Sequence, residues 1–171
     1  MSRAYKVVVT GAFNAGKSAF IRTISDIPVV STERRITDEH ARVKEETTVA
    51  MDYGQVVLGP RRFHLFGTPG QTRFDFMWDI LSKEADGLLI LVDSTDRSSF
   101  TTARRILRRL RRQRRVPFLV VATRQDGRRA VSPEEIAAAL GVDPPSLVVP
   151  CDARKKQSVR AVLMRLTEFL R

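Results

Sequence analysis

Gly11-Ala-Phe-Asn-Ala-Gly16-Lys17-Ser18 is the segment that most restricts how this chain can fold. Two glycines with four residues between them, followed at once by Lys and a hydroxyl, match G-x-x-x-x-G-K-[ST]. A strand-like apolar run, Tyr5–Thr10 (YKVVVT), precedes it, and a stretch with helical character, Lys17–Asp26, follows and stops near Pro28. A strand, a glycine turn and a helix N-terminus in that order aim successive backbone N–H groups at one point, where the helix adds partial positive charge. That is a cradle for phosphate oxygens. Gly11, Asn14, Ala15 and Gly16 form its wall, and Asn14 suits a left-handed backbone position. Lys17 is placed to reach β- and γ-phosphates, and the Ser18 hydroxyl to hold Mg²⁺.

The rest of the chain alternates strands with helices. Val49–Leu58 and Arg61–Phe66 read as two strands joined by a Gly59-Pro60 turn. Gly87–Val92 (GLLILV) and Pro117–Ala122 (PFLVVA) are short β-rich apolar runs, of the type found in sheets covered on both faces, and Leu147–Pro150 is a shorter one. Residues 28–47 are polar without a clear period and read as a loop. Phe100, Ala103, Ile106, Leu107 and Leu110 recur at helical spacing. Ser132-Pro133-Glu134-Glu135 is a capping box with Pro at the first helical position, and Gly141 is its stop. Val159, Val162, Leu163, Leu166 and Phe169 define a last amphipathic helix. The expected fold is α/β, a mostly parallel six-stranded sheet with helices on both faces, in one domain over residues 1–171.

Charge adds one local feature. Residues 104–115 (RRILRRLRRQRR) hold eight arginines and no acid, and account for most of the net charge of +11. The apolar residues of that segment are needed for the core, so they cannot also enter lipid. No aromatic residue is interleaved to stack bases. A solvated helix face is therefore placed ahead of a nucleic-acid or membrane site, with weak, salt-sensitive contact to an anionic membrane left open. No specific nucleic acid is expected. No apolar run approaches a membrane span, Cys151 is the sole cysteine, and neither a leader, a myristoylation glycine nor a prenylation cysteine is found. A cytoplasmic protein without a lipid anchor is the expectation.

From the phosphate loop onward the order of motifs resembles the Ras-like small GTPases over essentially the whole chain. The likeness is strongest to the bacterial branch, the gliding-motility GTPases and the actinobacterial GTPases found beside roadblock-type proteins. Phe66-Gly67-Thr68-Pro69-Gly70-Gln71 and Arg73-Phe74…Met77-Trp78 carry it. The resemblance implies a G domain that binds GTP and GDP with Mg²⁺. It implies that Thr48 is the switch I threonine completing the Mg²⁺ shell, with Thr47 as the competing assignment. It implies that Gly70 offers its N–H to the γ-phosphate and that Gln71 orients the attacking water. Thr123-Arg124-Gln125-Asp126 stands where the family has Asn-Lys-x-Asp. There the Asp126 carboxylate can accept from both N1–H and the 2-amino group of guanine, and the Arg124 stem can cover the base. Cys151-Asp152-Ala153-Arg154 stands where the family has Ser-Ala-Lys, with the Ala153 N–H toward guanine O6 and Arg154 alongside.

Four departures from that pattern matter. The usual Asp at the end of the third strand is Gly67, which leaves the outer Mg²⁺ shell unassigned. Phe13 puts a ring in the phosphate loop, where it would crowd Gln71 and any incoming arginine. Thr123-Arg124 replaces Asn-Lys. Thr47 stands where some gliding-motility GTPases carry a catalytic arginine, and nothing selects among Arg34, Arg35 and Arg42 as a substitute. Phe74, Phe76, Met77 and Trp78 cannot all point one way on a helix, so at least one is expected to face a partner. The resemblance suggests a roadblock-type regulator there. The leading expectation is a nucleotide-dependent switch with slow intrinsic GTP hydrolysis. The alternatives are a nucleotide-binding scaffold with negligible turnover and a basic nucleic-acid-binding protein.

Overall fold

The computed structural model describes residues 3–38, 45–69, 84–112 and 116–170, with the backbone alone at 32–38 and 45–49. The chain enters as β1 (Arg3–Gly11), turns through the glycine loop, and forms α1 (Lys17–Ile24). A hairpin of β2 (Val30–Asp38) and β3 (Glu45–Leu58) follows, then β4 (Arg61–Gly67). Next come β5 (Gly87–Asp93), α2 (Arg97–Arg111), β6 (Phe118–Thr123), α3 (Pro133–Leu140), β7 (Val148–Cys151) and α4 (Lys156–Thr167). The sheet has seven strands in the order β2-β3-β4-β1-β5-β6-β7. β4, β1, β5, β6 and β7 run parallel, while β3 is antiparallel to both of its neighbours.

The α/β class and the mostly parallel sheet agree with expectation; the strand count does not. Six strands are corrected to seven, because the loop expected over 28–47 contains β2 and the start of β3. Val30 pairs with Tyr53 and Asp38 with Glu45 in an unbroken antiparallel register. An edge hairpin of this kind is held by backbone hydrogen bonds, so its side chains need no apolar period. Its β-branched residues (Val30, Thr32, Ile36, Thr37, Thr47, Thr48, Val49) suit the extended backbone.

Alternation along the central strands divides the core. Leu89 and Leu91 of β5 pack with Val7, Val9, Phe20, Ile21, Ile24, Leu65, Val159 and Leu163, on the face covered by α1 and α4. Leu88, Ile90 and Val92 pack with Val8, Phe100, Ile106, Leu107 and Ile136, on the face covered by α2 and α3. Such two-sided burial explains why β5 reads as a continuous apolar run. Helix α1 lies close on β3 because Gly54 has no side chain. A Cβ there would stand 2.8 Å from the Ile21 Cγ2 atom and 2.8 Å from the Ser25 Oγ atom.

The helix boundaries follow the capping signals. The Ser132 hydroxyl accepts from the Glu135 N–H, Pro133 opens α3, and Gly141 ends it in left-handed geometry at φ 68°. Phe100, Ala103, Ile106, Leu107 and Leu110 form the buried stripe of α2, as their spacing predicts. Arginines of its charged run are engaged within the chain. Arg104 Nε donates to the Ala139 carbonyl at 3.0 Å and Arg111 Nη2 to the Gly141 carbonyl at 2.7 Å. Both carbonyls lie at the C-terminal end of α3, where cations are favoured. No described helix is long and apolar enough to cross a membrane.

Candidate functional site

Because β1, β5, β6 and β7 are parallel, their carboxyl ends open on one edge of the sheet. In open α/β sheets that edge, near the strand where the order reverses, is where ligands bind. The loop after β1 forms the centre of the edge. Gly11 adopts φ 138°, and a Cβ on it would stand 2.3 Å from the Leu91 carbonyl oxygen, so only glycine fits. Asn14 at φ 65° and Gly16 at φ 99° turn the chain into α1, as their residue types predict. The Lys17 ammonium lies under the loop and donates to the Gly11 and Ala12 carbonyls at 2.8 and 2.7 Å. Burial there lowers its pKa from 10.5 to about 8, partly offset by the nearby Asp52 carboxylate.

Two adjoining clefts share Gly16, Ala19 and Arg124. The first, about 410 Å³, is lined by Asn14, Lys17, Ser18, Asp52, Gly67 and Thr68, and it has the cradle for phosphate at its floor. Phe13 stands on its rim, 73% exposed. The Ser18 hydroxyl donates to Asp52 Oδ2 at 2.8 Å, which brings two hard oxygen donors together beside the cradle. No group of three His, Cys, Asp or Glu side chains gathers among the described residues. That donor set fits Mg²⁺, which takes one or two protein oxygens and completes its shell with phosphate and water.

The second cleft, about 800 Å³, is lined by Thr123, Gln125, Asp126, Gly127, Ala153 and Arg154. Its walls are tied to the phosphate cradle. The Thr123 hydroxyl is buried and lies 3.0 Å from both the Ala15 and the Val92 carbonyls, so it joins β6, β5 and the glycine loop. Arg124 sits at φ 58°, with its guanidinium 3.5 Å from Asp93. Gln125 Nε2 donates to Ser94 Oγ at 2.7 Å and to the Val131 carbonyl at 2.8 Å, which holds the turn that presents Asp126. The Asp126 carboxylate is exposed and accepts from Arg154 Nη2 at 3.1 Å. Arg154 is clamped in turn by Asp152, which accepts from its backbone N–H, its Nε and its Nη2 at 3.0 Å each. Those bonds to Arg154 pull the Asp152 carboxyl down to about 2. An Asp carboxylate beside a basic, polar cleft can accept two parallel N–H donors, which a guanine edge offers and an adenine edge does not.

Comparison with known proteins adds the lineage. The model of the ADP-ribosylation factor family matches residues 1–170. The chain belongs to that family. Among curated proteins, this family member is 26% identical to bovine (Bos taurus) ADP-ribosylation factor-related protein 1 over 141 residues, 79% of this chain and 66% of that protein. It is also 26% identical to human (Homo sapiens) EF-hand calcium-binding domain-containing protein 4B over 172 residues, 99% of this chain. The match spans only 22% of that relative, and the chain therefore covers less than two thirds of either protein's length. Its fold is similar to that of the Arl6 BBS3 small GTPase from Trypanosoma brucei, solved with bound nucleotide analogue GppNp. The TM-score is 0.69 at 19% identity, over 97% of this chain and 96% of that one. The resemblance to Ras-like small GTPases thus holds at the level of the superfamily.

The structure gathers Gly11, Asn14, Ala15, Gly16, Lys17 and Ser18 on one side of this edge and Thr123, Arg124, Asp126, Ala153 and Arg154 on the other. Thr48 lies in β3, paired in register with Arg35 of β2, and Thr47 with Ile36. Arg34 is also in β2, opposite Val49. Gly70, Gln71, Phe74, Phe76, Met77, Trp78 and Arg42 lie outside the described residues. Sequence reasoning missed the parts played by Asp52, Asp93 and Asp152. Asp93 ends one apolar strand and Asp152 follows another, and that position is the signal that could have marked them.

Proposed function

We propose that this chain is a molecular switch that binds GTP and GDP with Mg²⁺ and hydrolyses GTP slowly. The observation that carries the reading is the continuity of the two clefts across Gly16, Ala19 and Arg124, with Lys17 in one and Asp126 in the other. Lys17 neutralises the β- and γ-phosphates, the N–H groups of the glycine loop donate to their oxygens, and Asp126 selects guanine. Bound Mg²⁺ would supply charge neutralisation of the phosphates, with Ser18 and Thr48 as its protein ligands. Gln71 orients the water. No arginine is placed by the sequence to offset charge developing on the γ-phosphate, which supports turnover well below the ~1–10³ s⁻¹ typical of enzymes.

The switch II pattern Phe66–Gln71 and Arg73-Phe74…Met77-Trp78 supports a place in the bacterial branch, with a roadblock-type regulator docking on Phe74, Phe76, Met77 and Trp78. That partner fixes Gln71 and accelerates hydrolysis. Titration with fluorescent GDP, GTP and ATP tests the reading, and equal affinity for ATP refutes it. Lys17→Ala should weaken triphosphate binding more than any substitution in the arginine run. Trp78 fluorescence should change between GDP and a non-hydrolysable GTP analogue. Gln71→Ala should cut stimulated hydrolysis and leave that change intact. An unchanged signal with full activity in Gln71→Ala favours the nucleotide-binding scaffold instead.

A further inference from the structure

The phosphate half of the cleft is built for an anion, with Lys17, Arg22 and Arg124 on its walls. Among the described residues that line it, Asp52 is the one acid. A carboxylate beside a polyphosphate is repulsive unless a cation stands between them. Asp52 reaches this place across the sheet. It pairs in register with Gly67, the last residue of β4. A Cβ at Gly67 would lie 3.5 Å from the Asp52 Cβ and 2.9 Å from Ile21 Cδ1. The bare backbone at Gly67 therefore leaves room in the cleft beside the Asp52 side chain.

The bond to Ser18 gives Asp52 a second effect. A serine hydroxyl has one proton to donate and two lone pairs. With the proton committed to Asp52 Oδ2 at 2.8 Å, the lone pairs turn away from the carboxylate, toward the phosphate side. We propose that Asp52 is a positioning residue for the Mg²⁺ of a bound nucleotide. It aims the Ser18 hydroxyl at the ion, and it accepts from a water in the ion's shell, the place that the carboxyl-free Gly67 leaves open. The inference rests on the nucleotide reading above.

The test follows release of fluorescent GDP from the full chain as free Mg²⁺ is varied. In Asp52→Asn the Mg²⁺ concentration that half-protects the nucleotide should rise by about 10–100-fold, the usual cost of losing an outer-shell partner. In excess EDTA the same variant should release GDP no faster than the parent, because the charge removed repels phosphate and the bound phosphate itself keeps Lys17 protonated. The exchange Asp52→Ala with Gly67→Asp moves the carboxylate one strand over. It needs only the Ile21 methyl end to shift, and it should recover most of the lost Mg²⁺ dependence. A Mg²⁺ midpoint unchanged within about twofold in Asp52→Asn overturns the proposal and leaves the nucleotide reading standing. So does faster release by the same factor with and without Mg²⁺, which marks Asp52 as a structural partner of Ser18. A parent protein that retains no guanine nucleotide at all overturns the nucleotide reading itself. If the exchanged protein fails to melt cooperatively, Asp52→Asn alone decides.

Discussion

On the nucleotide reading, Lys17 should make binding a proton-coupled event above neutral pH. Its ammonium sits under the glycine loop, where burial has lowered its pKa from 10.5 to about 8. The two carbonyls it touches are neutral, and the cost of desolvation outweighs the attraction of Asp52. A bound phosphate brings full negative charge to the same atom and returns the pKa to at least its ordinary value. At pH 8.5 about a quarter of nucleotide-free molecules hold the Lys17 proton, so binding GDP should draw in about three quarters of a proton. Affinity should fall by about tenfold between pH 7 and pH 9 through this group. The effect on the empty protein has the opposite sign. Below pH 8 folding carries the full penalty of burying the charge. Between pH 8 and 10.5 the unfolded chain binds more protons than the folded one, and stability through Lys17 rises with pH. Titration calorimetry at pH 8.5 in two buffers of different ionisation enthalpy counts the protons directly. Lys17→Arg keeps a charge that does not titrate and should take up none. Zero uptake by the parent protein would show that the ammonium is not desolvated. Uptake that persists in Lys17→Arg would place the proton elsewhere.

Three further outcomes follow from the geometry. Asp126→Asn should lose guanine affinity and gain xanthine affinity, because xanthine presents a carbonyl where guanine has its amino group; competition titration with both diphosphates reads the exchange. Arg154→Ala should remove the 3.1 Å partner of Asp126 and a cation from the cleft wall, and slow association of the anionic nucleotide by about two- to fivefold at low salt, a loss that stopped-flow traces at high salt should lack. Gly54→Ala should lower stability by about 1–3 kcal/mol in denaturant melts, because its methyl meets Ile21 and Ser25 of the α1 segment at 2.8 Å.

What could be read from the sequence was what local chemistry dictates. The turn at Gly11–Ser18 needs particular residue types at particular torsions, so Gly11, Asn14, Gly16 and Lys17 announced themselves. The buried stripe of α2 and the caps of α3 are equally local. The β2 strand was missed because its order comes from a partner strand, and residues 30–38 have no periodicity of their own. Asp52 was missed for a related reason. Ser18 lies 34 residues before it, and Gly67 meets it only through sheet register. The two parts of that site, a missing acid at the end of one strand and a present acid on the next, are both visible in the chain. Only the register says that they share one space. The pairing of Asp126 with Arg154 likewise joins two loops that composition treats as separate charged turns.

The Thr123 hydroxyl joins the glycine loop to β6, the strand that leads into the second cleft. A Cβ on Gly16 would touch Ala153 and Thr123 at 3.8 Å each, and the Thr23 hydroxyl donates to the Ala153 carbonyl at 2.6 Å. The loops that bracket the two clefts are therefore tied to one another by these hydrogen bonds, which set their separation. On the nucleotide reading the two clefts act as one bivalent receptor, like a caliper held at one setting. A ligand whose two ends match that setting binds its second end as an intramolecular event, at an effective concentration set by the protein. Guanosine alone and pyrophosphate alone should each bind feebly, and their free energies should sum to much less than that of GDP.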